Sequence, residues 1–279
     1  MKRVSPGLAV NEQECSECGA TYTANYILST GKPHDMSGGM CRECRDKLIR
    51  EREAKEEAER LADVARRRRQ WRERSGIPSR FMYKEFGNFE IDRQPTAYKR
   101  ALQYAEKYPL GKATGYPSLL LTSEGVWGVG KTHLACAIIH HILNKWNGEN
   151  IIMPCYFTTE PDLFRSIQAT YNYSNDDRRI RETEEDIYNR LIHVPLLVID
   201  DIGKEQRGDA RFVQRVLFAI IDGRYSRNLP MVLTTNLSPE LLEQHLGGVG
   251  SNEASMDRLV EMTNGKFVRL KGESYRRKE

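Results

Sequence analysis

The chain has 279 residues, 39% of them hydrophobic and 29% charged, with a formal net charge of +4. That length holds one large domain or a small one beside a medium one, and no apolar run approaches the roughly 20 residues of a membrane span. Met1-Lys2-Arg3-Val4-Ser5-Pro6-Gly7 lacks the apolar core of a secretory signal, so a cytoplasmic protein with reduced thiols is expected, and paired cysteines read as metal ligands before disulfides.

The first such pairs come early. Cys15-Ser-Glu-Cys18 and Cys41-Arg-Glu-Cys44 are two C-x2-C turns separated by 22 residues. Two such turns can present four thiolates to one zinc ion in a closed tetrahedral site, which is structural because it leaves no position for substrate. The spacing is slightly longer than a usual zinc ribbon. His34 lies between the pairs as an alternative ligand, and Thr21, Tyr22, Thr23, Tyr26 and Ile27 suit a hairpin. So short a segment, taken as residues 1–45, has little core of its own, so metal binding must supply much of its folding energy.

Residues 45–74 contain no Pro or Gly, and charged residues and alanine predominate. Leu48, Ala54, Ala58, Leu61, Ala62 and Ala65 form only a thin stripe, while Glu56 and Glu57 pair in spacing with Arg60. This predicts a long exposed helix within a linker over 46–79. Its end, Arg66-Arg67-Arg68-Arg69 with Trp71, Arg72 and Arg74, reads equally as a phosphate-binding cluster or as a solvated helix end. Ser75-Gly-Ile-Pro78 stops the helix, and a nucleotide domain is expected over 80–279.

That domain is organised around Gly125-Val-Trp-Gly-Val-Gly-Lys-Thr132, a complete G-x-x-x-x-G-K-[ST] motif. A buried strand is predicted before it at 118–122 and a helix after it over 131–146. In that setting Gly125, Gly128 and Gly130 let backbone amides turn onto phosphates. Lys131 would reach the β- and γ-phosphates of ATP, and the Thr132 hydroxyl would ligate Mg²⁺. Helices are predicted over 96–108, 161–171, 187–192 and 209–227. A strand is predicted over 154–159, and the very polar stretch 172–185 reads as a mobile connection. Leu196-Leu-Val-Ile-Asp-Asp201 is an apolar strand running into two carboxylates: Asp200 for Mg²⁺ and Asp201 to orient the attacking water. The strand at 229–236 ends in Asn236, placed for the γ-phosphate or the water, because Ser238 already suits the N-cap of the next helix. A short helix around Met256-Asp-Arg258 and a last strand over 267–270 follow. Trp127 reads as covering the glycine loop from outside, and Cys136 and Cys155 as core thiols.

Together, Ser75-Gly-Ile-Pro-Ser-Arg80, Phe86-Gly-Asn-Phe89, Gly130-Lys-Thr-His-Leu134, Leu197-Val-Ile-Asp-Asp-Ile-Gly203, Thr234-Thr-Asn236, Met256-Asp-Arg258 and Ser274-Tyr-Arg276 resemble the AAA+ helicase loaders of the DnaC/DnaI type, and nearby the IstB-type transposition helpers. The likeness covers about residues 75–279, and the order of its parts is specific where each alone is not. It implies an α/β P-loop core, a parallel sheet flanked by helices without a C-terminal helical lid, preceded here by the cysteine module and charged helix. It implies an ATPase switch that self-associates on single-stranded DNA and places a hexameric replicative helicase, which the zinc module would engage. By position it makes Asn236 sensor 1, Arg258 an arginine finger acting on a neighbouring subunit, and Arg276 sensor 2, and it lets Arg224 face a neighbour or DNA. The alternative on the same fold is an IstB-like helper of a transposase. A small-molecule kinase fits Asn236 and Arg258 less well, and a zinc adaptor with purely structural ATP would tolerate loss of Lys131.

Overall fold

The threonine- and tyrosine-rich stretch between the cysteine pairs has side chains that favour extended backbone. In the computed structural model, which describes residues 2–5, 8–29, 32–149, 152–173, 181–204, 209–247 and 253–275, it belongs to an antiparallel meander. The strands are β1 (Lys2–Ser5), β2 (Leu8–Glu14), β3 (Thr21–Ser29) and β4 (Lys32–Asp35), paired in that order. The expected hairpin is its central pair, in register from Leu8↔Ile27 to Glu14↔Thr21. Helix α1 (Arg42–Arg74) begins at the second cysteine pair. The chain divides into two units, Met1–Asp63 and Val64–Glu279. In the first, the described side chains that are buried are Cys15, Ala24 and Ser37, and Leu48 and Leu61 of the apolar stripe are exposed.

The second unit takes Val64 and Trp71 of α1 into its core, with the Trp71 ring 4.6 Å from that of Trp146. Its elements are α2 (Pro95–Lys107), β5 (Leu119–Thr122), α3 (Lys131–Lys145), β6 (Cys155–Thr159), α4 (Glu160–Thr170), α5 (Glu184–His193), β7 (Leu196–Ile202), α6 (Ala210–Tyr225), β8 (Met231–Thr235), α7 (Pro239–Leu246), α8 (Glu253–Met262) and β9 (Phe267–Arg269). Prolines stand in the first turns of α2, α4 and α7, where a missing N–H costs nothing. Thr159, Thr183 and Ser238 cap α4, α5 and α7 through their hydroxyls. Of the polar stretch 172–185, residues 174–180 lie outside the described residues.

The strands form one parallel sheet in the order β6-β7-β8-β5-β9. Parallel strands are covered on both faces, which is why their sequences are continuous apolar runs and not alternations. Leu119, Leu121, Leu196, Val198 and Val232 pack on the side of α2 and α3. Leu120, Leu197, Ile199, Met231 and Leu233 pack under α4 to α8. Burial of each such side chain stabilises the fold by roughly 1.5–3 kcal/mol. The order of the strands brings the carboxyl ends of β5, β7 and β8 side by side, and the motif residues stand there. Cys136 and Cys155 are fully buried, as expected of core thiols.

Candidate nucleotide site and cysteine cluster

Beyond β5 the chain turns through Ser123 and Glu124 into the glycine loop. Gly125, Gly128 and Gly130 have φ of +83°, +77° and +98°, a region that side chains with a Cβ avoid. At Gly130 a Cβ would also stand 2.8 Å from the Phe89 ring. Gly130 begins α3, whose first residue, Lys131, is buried. The Lys131 ammonium donates to Ser123 Oγ and to Asn236 Oδ1, each at 2.5 Å. The glycine loop is tied to the same strand end by Gly125 N–H donating to the Asn236 carbonyl at 2.7 Å. Lys131 and Asn236, 105 residues apart in sequence, thus meet. Trp127 is 65% exposed.

Asp200 is buried and accepts hydrogen bonds from Thr132 Oγ1 at 2.9 Å and from Thr234 Oγ1 at 2.6 Å. Burial, and secondarily the neighbouring Asp201, push its carboxyl up to about 6. A carboxylate beside a hydroxyl is the hard-oxygen donor set that Mg²⁺ takes, and a cation here would relieve the penalty on the charged form. β7 reaches the acidic pair through a bulge. Ile199 pairs with Leu233 and Ile202 with Thr235, three residues against two. Within it Asp201 has φ of +58°, and its side chain meets Lys204 Nζ at 3.0 Å. Thr234 and Ser123, which knit this site together, were missed by sequence reasoning. The signal for Thr234 was its position two residues before Asn236, on the same side of a strand.

The cysteine cluster is assembled from the turn after β2 and the start of α1. The sulfur atoms of Cys15, Cys18, Cys41 and Cys44 all lie within 4.8 Å of one another. Cys18 and Cys41 are 3.8 Å apart, about the edge of a tetrahedron with 2.3 Å metal–sulfur bonds. Gly19, with φ of +72°, turns the first knuckle, and its N–H donates to the Cys15 carbonyl at 2.9 Å. The Cys41 amide donates to Cys15 Sγ at 3.2 Å and draws that thiol down to about 6, while the neighbouring Cys18 sulfur pushes the Cys44 thiol up. Four sulfurs in this arrangement can hold a metal ion.

The family model described as IstB-like ATP binding protein matches residues 56–279. The chain belongs to that family. Among relatives of this IstB-like chain, the replicative helicase loader DnaC of Buchnera aphidicola subsp. Baizongia pistaciae (strain Bp) is 29% identical over 205 residues, 74% of each chain. That of Escherichia coli (strain K12) is 29% identical over 205 residues, 73% of each. A crystal structure of the DnaC helicase loader superposes with a TM-score of 0.53 at 21% identity, covering 69% of this chain and 99% of that one. The fold is therefore the α/β core that the motifs implied, a parallel sheet flanked by helices.

Several arginines of the IstB-like domain serve the fold itself. Arg224 is fully buried and faces neither a neighbour nor DNA. Its guanidinium donates to the carbonyls of Leu191, Val194 and Pro230 at 2.6–2.8 Å, and to those of Ile192 and Pro195 at 3.3 Å. Through its two terminal nitrogens it closes the C-terminal end of α5 and the turn before β8, a task for a planar cation. The basic cluster is likewise partly internal: Arg68 Nε donates to the Trp146 carbonyl at the end of α3 at 2.9 Å, and Arg72 bonds Asn144. Arg258 sits on α8, a quarter exposed, against Asp222 at 3.0 Å, its guanidinium 5.2 Å from the Phe218 ring centroid and 5.5 Å from that of Tyr225. Arg276 lies outside the described residues. No helix among the described residues is long and apolar enough to cross a membrane.

Proposed function

We propose that this protein is a cytoplasmic, ATP-dependent loader of a replicative DNA helicase. The observation that carries the reading is the convergence of Lys131, Thr132, Asp200 and Asn236 on one strand-end site in a chain whose relatives are named replicative helicase loaders. In the proposed reaction the loop glycines and Lys131 bind the phosphates of ATP, displacing Lys131 from Ser123 and Asn236. Thr132 and Asp200 would hold Mg²⁺, which when bound neutralises phosphate charge. Asp201, released from Lys204, orients the attacking water, and Asn236 holds it toward the γ-phosphate. Arg258 leaves Asp222 to reach the nucleotide of a neighbouring protomer, so turnover requires self-association. Arg276 completes the nucleotide contacts from the C-terminal side.

In the same reading Cys15, Cys18, Cys41 and Cys44 hold Zn²⁺ as a structural ion, and residues 1–45 engage the hexameric helicase. Of the expected linker over 46–79, residues 46–63 form the charged tether, while Val64 and Trp71 belong to the core of the ATPase that binds single-stranded DNA. Capture of the helicase by the zinc-loaded protein with ATP, and loss of capture without residues 1–63, is the expected result of a pull-down. The family description favours one alternative, an ATPase helper of a transposase. Failure to capture the helicase, together with ATP-dependent binding of duplex DNA and a transposase, would decide for it.

A further inference from the structure

One fully buried carboxylate has no part in the roles above. Glu160 opens α4, at the carboxyl end of β6, and is 0% exposed. Its Oε2 accepts the Gly203 N–H at 2.9 Å, and its Oε1 lies 2.6 Å from His245 Nε2 on α7. A single amide can be satisfied by a neutral acceptor, yet here the fold buries a carboxylate and supplies a histidine to face its second oxygen.

What Glu160 holds is the turn carrying the acidic pair. Asp201 occupies the left-handed region at φ +58° inside the β7 bulge. A non-glycine residue persists there only where its surroundings over-determine it. The β8 side does part of this: the Asp201 amide donates to Thr234 Oγ1 at 2.9 Å, and Thr235 Oγ1 donates to the Ile202 carbonyl at 2.8 Å. Gly203 packs so closely on Leu237 that a Cβ would fall 2.3 Å from a methyl carbon. Two further fixed points close the turn: the Lys204 amide donates to the Asp201 carbonyl at 3.2 Å, and the Gly203 amide donates to Glu160. Asp201 is thus flanked by an anchored residue on each side, and the second anchor belongs to α4 and α7, which are outside the phosphate loop.

We propose that Glu160 is a positioning residue for Asp201: by fixing the Gly203 amide it holds the strained bulge in the form that hydrolysis requires. The proposal rests on the ATPase reading, and it predicts a separation of turnover from binding. Asp200, Lys131 and Thr132 are anchored independently of Glu160. The full-length protein is compared as wild type, E160A, E160D, E160Q and H245A, by steady-state ATP hydrolysis and by binding of a fluorescent ATP analogue. In E160A kcat falls roughly 10- to 100-fold while the dissociation constant stays within about threefold, the cost of misplacing a reacting group. E160Q, whose amide oxygen still accepts from Gly203, recovers most of kcat, and H245A loses roughly fivefold or less. Equal loss of binding and turnover, or unchanged kcat in E160A, would overturn the proposal. Should E160A fail to fold, E160D carries the test, because it keeps the charge and withdraws the oxygen from the amide. Amide exchange of residues 201–204 supplies a readout independent of turnover: about tenfold faster at Gly203 in E160A or E160D, near wild type in E160Q. Unchanged exchange overturns the positioning role; a wild type that binds ATP and never turns it over, with Gly203 exchange responding as stated, refutes the ATPase reading alone.

Discussion

The cysteine unit and the nucleotide unit solve the same problem with different physics. The nucleotide unit buries two apolar layers, one on each face of its sheet, and can place polar groups such as Lys131 and Asp200 among them because the strands on either side are already fixed. The cysteine unit has few buried side chains among its described residues, and its convergent feature is four sulfurs. Where area is scarce, a metal can replace it as the source of folding energy; where area is ample, the fold can bear buried charge for chemistry. The difference teaches that the two units should fail for different reasons.

Metal removal is the severest test. A structural zinc site contributes about 10–16 kcal/mol at neutral pH. Chelation should therefore abolish amide-exchange protection in residues 8–44 while leaving the melting of the second unit within about 2 °C, since its core is made of side chains alone. Melting of both units together would break the comparison. Lys131→Ala should weaken ATP binding by roughly 100-fold or more with unchanged metal content, measured by equilibrium binding and metal analysis. Arg224→Met should leave five carbonyls without their donor and cost about 3 kcal/mol or more, seen as a melting drop of roughly 6–12 °C in the second unit.

The smallest effect has the opposite sign. A carboxyl raised from 3.8 to about 6 in the folded state favours folding when protonated. That contribution is present below about pH 4 and is lost as pH rises through about 6. Asp200→Asn should therefore stabilise the nucleotide-free protein at pH 7.5 by on the order of 1–3 kcal/mol, while removing Mg²⁺-dependent ATP binding. Scanning calorimetry with and without Mg²⁺ and ATP checks both halves. A destabilised, Mg²⁺-indifferent variant would show that Asp200 belongs to the core and not to the site.

Much of the nucleotide unit was legible because its signals are local and periodic. The glycine loop, the apolar strand ending in Asp200-Asp201 and the strand ending at Asn236 each announce themselves within eight residues. The cysteine spacing was equally open to reading. What sequence hid was long-range polar pairing. Glu160 and His245 are 85 residues apart, and Ser123 and Asn236 113; nothing in either neighbourhood names the partner. Arg224 misled for the same reason. Its position near a helix end suits a surface cation, and only the fold reveals the five carbonyls it closes. The bulge at Asp201 has no glycine or proline to mark it in Leu196-Leu-Val-Ile-Asp-Asp-Ile202.

Of the three tryptophans, Trp71 and Trp146 are buried against each other, and Trp127 stands out from the glycine loop. The protein therefore contains its own optical reporter. Iodide or acrylamide should quench Trp127 and leave the other two dark to collision, so the emission that quencher removes comes from the phosphate loop. Titrating ATP against that fraction follows occupancy of the site without a label, and a W127F control sets the baseline.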